Sequence, residues 1–280
     1  MSATLYDAPL ANDFGRVAAF FRRDLLVAWS YRVAFFADAL NLVAQVVVFS
    51  FVARMVNPAT LPQFGGRPTD YMAFVTVGIA LTAFLQLGLG RMSSAIRGEQ
   101  LIGTLESLLV SPIRPAVLLF GCVAYDLVYI PIRTAIFLVS IAAVFGFGLH
   151  ASGAGEAAVI VLLFMPLVWG LGIASAAGVL TFRRGSGLVG PVAFGLTLLS
   201  GAYFPLSLLP GWLRAIARVN PIAIALDGAR EALLGGAGWK ELAPRFGILA
   251  VASVLAVVGG TIAFNLALRR ERRLGTIGLY

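Results

Sequence analysis

One cysteine and one histidine occur in 280 residues, and there is a single lysine, Lys240. The lone cysteine, Cys122, excludes an intrachain disulfide framework. It lies in an apolar run and reads as a small packing residue. The lone histidine, His150, excludes HExxH and any His-rich metal site, so no metal is expected. It also leaves no Ser–His constellation, so no catalytic residue is expected. Lys240 stands between Trp239 and Glu241. A P-loop needs a Gly-Lys-Ser/Thr run to wrap phosphate, so this chain holds none. The first fifteen residues lack the apolar stretch of a secretory signal.

Charge is scarce as well. Asp, Glu, Lys and Arg make up 12% of the residues, where a soluble domain has roughly 25%. Apolar residues make up 60%, and mean hydropathy is +0.93. A soluble fold of this length could not hide that much apolar surface, and a disordered chain is poor in it. The composition predicts an all-α integral membrane protein. Basic residues exceed acidic ones, 21 to 13, but they punctuate apolar runs. That is a topology signal and not a nucleic-acid surface.

Six apolar runs approach the roughly 20 residues that a helical span requires: 33–56, 71–89, 116–147, 157–182, 188–204 and 246–268. The third is long and contains Pro131, where a tilt or kink is expected. An even number of spans puts both termini on one side. Thirteen arginines fall on that side and seven basic residues on the other, with Arg133 inside a span. The positive-inside rule then places both termini in the cytoplasm, and the chain in the cytoplasmic (inner) membrane. Five of the seven lie between the fifth and sixth runs, which marks that segment as unusual.

Ahead of the first run, Phe14, Val17, Ala18, Phe21, Leu25 and Ala28 recur at helical steps across 12–29. Asn12 or Asp13 can cap its start. This predicts an amphipathic helix lying in the cytoplasmic interface; the alternative is the frayed start of the first span. Between the second and third runs, Leu101, Leu105, Leu108 and Leu109 form an apolar stripe interrupted by Glu99 and Glu106. Pro112 disfavours helix at Ser111. The pattern predicts a short amphipathic helix, suited to lipid or to a groove on a partner.

The stretch Glu99-x-x-x-Gly103-Thr104-Leu105-Glu106-x-Leu108-Leu109-x-Ser111-Pro112-x-x-Pro115 resembles the loop of ABC-2 type permeases. A second stretch is similar too: Gly201-x-x-Phe204-Pro205, Leu209-Pro210-x-Trp212-Leu213, Asn220-Pro221, then Asp227-x-x-Arg230. Both occur in order on a six-run chain. The resemblance implies the membrane subunit of an exporter for drugs, lipids or polysaccharides, paired with a second permease, itself or a paralogue. Two copies of a cytoplasmic ATPase would bind the ATP and magnesium. The loop at 91–115 would be the coupling element, with Glu99, Leu101, Gly103, Thr104, Leu105, Glu106, Leu108 and Leu109 meeting the ATPase. Segment 205–240 would be a re-entrant helical hairpin at the outer face, carrying Phe204, Pro205, Pro210, Trp212, Asn220, Pro221, Asp227 and Arg230. Its arginines would then lie at the outer membrane surface. The implied organisation is an N-terminal segment 1–32, a transmembrane domain 33–269 and a basic tail 270–280.

Several polar residues fall inside the runs. Asp38, Asn41 and Gln45 share one helical face and should avoid lipid. A strip on the substrate path or dimer interface and simple helix–helix hydrogen bonding both remain open. Asp126 and Arg133 share a face about 10 Å apart along the axis, too far for direct contact. Each needs a partner on another helix, as a structural network or as a proton relay. Gly170, Ala174 and Gly178 form a small-residue row suited to close helix packing. Phe49, Phe51, Phe74, Phe84, Phe194 and Phe204 either line an apolar passage or simply pack and face lipid.

The competing reading is a proton-coupled secondary transporter or channel using Asp126 and Arg133. The two halves show no inverted repeat, which counts against it. Short loops and apolar spans favour a hydrophobic or amphipathic cargo for the exporter.

Overall fold

Hydrocarbon offers backbone groups no water, so an apolar run must satisfy its own N–H and C=O groups, and a helix does so within one segment. The structure is a computed structural model describing residues 15, 18, 21, 22, 25, 26, 32–56, 61–66, 69–102, 115–182 and 186–274. Its helices are α1 (Arg32–Ala53), α2 (Tyr71–Ile102), α3 (Pro115–Phe145), α4 (Ala154–Phe182), α5 (Ser186–Leu198), α6 (Gly211–Val219), α7 (Pro221–Gly235) and α8 (Trp239–Leu274). Short 3-10 turns at Ala151–Gly153 and Leu206–Leu208 precede α4 and α6.

Among the described residues, four stretches are long and apolar enough to cross a membrane: Tyr71–Gly90, Val128–Phe145, Ala151–Thr181 and Trp239–Glu271. They correspond to the second, third, fourth and sixth apolar runs. The first run forms α1, whose uninterrupted apolar part is the shorter Leu40–Ala53. The fifth run departs from the expected 188–204 span. Helix α5 ends at Leu198 after 13 residues, about 20 Å of rise against a hydrocarbon core of about 30 Å. Gly201 turns the chain with φ 70°, and Pro205 withdraws the preceding residue from helical geometry.

The second run departs in the other direction. Helix α2 does not stop at 89 but continues to Ile102, so Glu99 and Leu101 share one helix with the apolar span.

Of the N-terminal amphipathic stretch, the described positions 15, 18, 21, 22, 25 and 26 are helical. The Phe21 ring lies 6.1 Å from that of Tyr125 on α3, which stacks on Tyr129 at 5.2 Å.

Helix α2 is the central element, buried almost continuously from Tyr71 to Leu89. Helices α4 and α8 pack along their length, and small residues permit it. A Cβ at Gly170 would overlap the Ala256 backbone, and one at Gly260 would overlap the Gly170 carbonyl. Gly178 meets nothing within 4 Å, so the close approach uses Gly170 and does not require a glycine at 178. Hydroxyls cross-link the bundle: Ser253 donates to the Leu163 carbonyl at 2.5 Å, and the Ser93 and Ser175 oxygens lie 2.6 Å apart.

Candidate functional site

The segment from Gly201 to Gly236 folds as a helical hairpin. Asn220 makes the corner. Its Oδ1 accepts the Ile222 N–H at 3.0 Å, which caps α7. Its Nδ2 donates to the Leu199 carbonyl at 3.2 Å, tying the corner to the end of α5. Pro221 opens α7, where a missing N–H costs nothing. Gly236, with φ 68°, closes it.

Helix α7 is built to be surrounded. Ala223, Ala225, Gly228, Ala229 and Ala232 are all buried, and three glycines let neighbours approach. A Cβ at Gly65 would lie 2.5 Å from the Gly235 carbonyl oxygen, and one at Gly153 would overlap the Ala232 carbonyl. At Gly228 a Cβ would meet the Ile160 side chain at 3.0 Å.

Arg230 is the centre of the hairpin's attachment to α2. It is only 1% exposed. Its Nε donates to the Phe74 carbonyl at 3.2 Å, and its Nη2 donates to the carbonyls of Gly201 and Ala202, each at 3.0 Å. Nη1 pairs with Asp227 at 3.3 Å. The guanidinium lies over the Phe74 ring, 3.5 Å from its centroid, a cation–π contact in a desolvated place. Burial lowers its pKa to about 10 and Asp227 opposes that shift, so the group stays a cation at neutral pH. Arg230 is thus enclosed by the protein's own groups. Its donors satisfy the Gly201 and Ala202 carbonyls, which lie in a turn outside any helix, and share the Phe74 carbonyl with the helix itself.

Gly78, one turn along α2 from Phe74, completes this arrangement and was missed from the sequence. A Cβ there would overlap the Ala202 carbonyl oxygen and stand 2.8 Å from Arg230 Nη2. Its only sequence signal was glycine inside an apolar helix, which costs stability unless something approaches closely. Nearby, the Tyr71 hydroxyl donates to the Tyr203 carbonyl at 2.9 Å, and Tyr203 stacks on Phe49 of α1 at 4.9 Å.

The other hairpin residues divide by environment. Pro205 is buried and Phe204 half-buried, while Pro210 and Trp212 are exposed. Arg214 donates to the carbonyls of Ser207 and Leu209. Arg245 of α8 pairs with Glu231 at 2.5 Å. Burial raises the Glu231 pKa and Arg245 pulls it back.

Of the expected coupling residues, Glu99 and Leu101 sit at the end of α2; Gly103, Thr104, Leu105, Glu106, Leu108 and Leu109 lie outside the described residues. Asp38, Asn41 and Gln45 ride on α1. Leu42 and Val46 of that helix are buried, whereas Asn41 is exposed and Gln45 half-buried. Asn41 and Gln45 therefore lie beside the face that α1 presents to its own bundle. Asp126 and Arg133 both lie on α3. Arg133 is half-buried and lines a small cavity with Leu42, Ala80, Phe84 and Phe137. The phenylalanines do not converge. Phe74 and Phe84 are core residues, and Phe51 and Phe194 are about 60% exposed.

These features define a multi-pass helical membrane protein whose longest-buried helix is pinned at one end by a helical hairpin. The sequence profile of the family described as ABC-2 type transporter matches residues 16–234. The chain belongs to that family and is an ABC transporter permease. Comparison with curated proteins gave no match.

Proposed function

We propose that the chain is the membrane subunit of an exporter, paired with a second permease, self or paralogue, and driven by two cytoplasmic ATPase subunits that bind ATP and magnesium. The cargo is hydrophobic or amphipathic. The chain crosses the inner membrane six times, with both termini cytoplasmic, α1 and α5 completing the count. The N-terminal amphipathic helix lies in the cytoplasmic interface, and the α6–α7 hairpin enters from the outer side.

The observation that carries this reading is the continuity of α2. Its 32 residues extend about 48 Å. One end is fixed to the hairpin through Phe74 and Gly78, and the other runs into the coupling segment at Glu99 and Leu101. A rigid helix held at both ends transmits a push on one to the other. ATPase closure against the segment 99–109 would thereby shift the hairpin. The exposure of Asn41 supports a role for the polar strip on α1 in meeting the second permease or lining the path between the two.

Co-purification tests the assembly. The tagged chain, expressed with a candidate ABC ATPase from the same genome, should retain two ATPase copies for two permeases. In vesicles, transport should require ATP hydrolysis. Transport driven by a proton gradient without ATPase, and lost in Asp126→Asn, would establish the secondary-transporter reading instead.

A further inference from the structure

Helices α3 and α4 are joined by a short turn yet scarcely touch. Between them lies an open cleft of about 820 Å³, with Leu81 of α2 and Ala229 and Leu233 of α7 among its lining residues. We propose that this cleft is a binding site for an acyl chain of a membrane lipid, entering sideways from the bilayer with its polar end at His150.

The walls explain why the protein does not fill the space itself. On α3 it is lined by Ala135, Ala142 and Ala143, and on α4 by Ala154, Ala157 and Ala158. None of these side chains can reach across. The volume falls in the range of ligand sites between helices, roughly 300–1,000 Å³. The cleft is too large to be a packing defect, because close-packed interiors leave few voids larger than a water molecule.

Its surroundings select the occupant. Both flanking helices carry membrane-crossing stretches, Val128–Phe145 and Ala151–Thr181. At the rim, Ile132, Val139 and Leu162 are all more than half exposed, so the mouth opens onto hydrocarbon. An apolar void does not hold water, and left empty it forfeits dispersion contacts on every wall. Hydrocarbon is the matter available to fill it.

The dimensions agree. From Pro131 to Ala143 the lined part of α3 extends about 18 Å, close to one leaflet's share, about 15 Å, of the hydrocarbon core. The polar features are also ordered. Thr134 is half-buried on the α3 wall. His150 sits at the α3–α4 turn, its Nδ1 3.4 Å from the Leu233 carbonyl. When Nδ1–H donates there, Nε2 is an acceptor for a headgroup or glycerol hydroxyl. The assignment of the cleft to the outer leaflet rests on the topology proposed above; the acyl site itself rests only on the cleft.

The test uses the full-length chain in vesicles of phosphatidylethanolamine and phosphatidylglycerol, with a trace of phosphatidylcholine bearing a diazirine near the end of one acyl chain. After illumination, adducts are mapped by peptide mass spectrometry. Adducts should concentrate on 131–143 and 154–162, above those on Val251, Val254, Leu255 and Val258, which α8 exposes equally to lipid. Ala142→Trp and Ala158→Trp should each lower cleft labelling roughly tenfold, the effect of about 1.4 kcal/mol of lost binding. Val254→Trp should leave it unchanged. Equal labelling of cleft and α8 in the unaltered chain overturns the proposal, whatever the variants do. A cysteine at Ala158 that cross-links to a second copy also overturns it, by putting protein in the cleft. Labelling confined to a probe supplied in the inner leaflet keeps the site and overturns the topology.

Discussion

Arg230 of α7 lies over the ring of Phe74 of α2, 3.5 Å from its centroid, while its Nε donates to that same residue's carbonyl at 3.2 Å. One side chain thus holds both the side chain and the backbone of a residue 156 positions earlier. The hairpin and the central helix move as one body as long as this contact stands.

Arg230→Met should destabilise the chain strongly. It strands the carbonyls of Gly201 and Ala202, and each buried unsatisfied group costs about 1–3 kcal/mol. Asp227→Asn should cost about 0–1 kcal/mol, as expected for a partly exposed ion pair. Thermal unfolding followed by size-exclusion fluorescence should rank the two in that order. Equal melting temperatures would remove Arg230 from its structural role.

Gly78→Ala and Gly90→Ala change the same helix in opposite directions. A Cβ at Gly78 overlaps the Ala202 carbonyl oxygen, whereas one at Gly90 meets nothing within 4 Å. The first should cost about 1–3 kcal/mol through overpacking. The second should be neutral or gain up to about 1 kcal/mol of helix propensity. Melting temperatures of the two variants in one detergent check this.

Leu105→Asp or Glu106→Lys should weaken ATPase binding or uncouple hydrolysis from transport. Membrane insertion and melting temperature should stay unchanged, since neither residue belongs to an apolar run. An acidic helix is poorly suited to the anionic cytoplasmic leaflet, so these charges fit a basic groove on a partner. Variants that bind ATPase and transport as well as the parent chain would remove this segment from coupling.

The topology is open to labelling in a Cys122→Ser background. Gly238 is exposed and a Cβ there meets nothing within 4 Å, while Gly236 holds φ 68° against the His150 ring. A cysteine at Gly238 should react with an impermeant maleimide in intact cells, and one at Ser107 should not. The reverse pattern would invert the orientation.

Much of this was legible along the chain. Composition alone determined that the protein lives in a bilayer, because apolar excess and charge depletion are summed quantities that need no coordinates. Local runs placed the helices, since a segment in hydrocarbon must satisfy its own backbone. The corner between α6 and α7 was legible through Asn220-Pro221, which act on their immediate neighbours. The absence of a P-loop was equally a local fact.

Only the tertiary structure decided which of these residues meet. Arg230 was one basic residue among five between the last two runs until three carbonyls and an aromatic ring from distant segments were seen to enclose it. Gly78 read as an ordinary break in helix propensity until the Ala202 backbone was seen against it. The fifth run read as helical to Phe204 until the tie between Asn220 and Leu199 and the turn at Gly201 ended α5 at Leu198. The cleft between α3 and α4 has no sequence signature, since alanine serves equally where helices touch and where they stand apart. Burial is a property of pairs far apart in sequence, and hydropathy along one chain does not encode which pairs form.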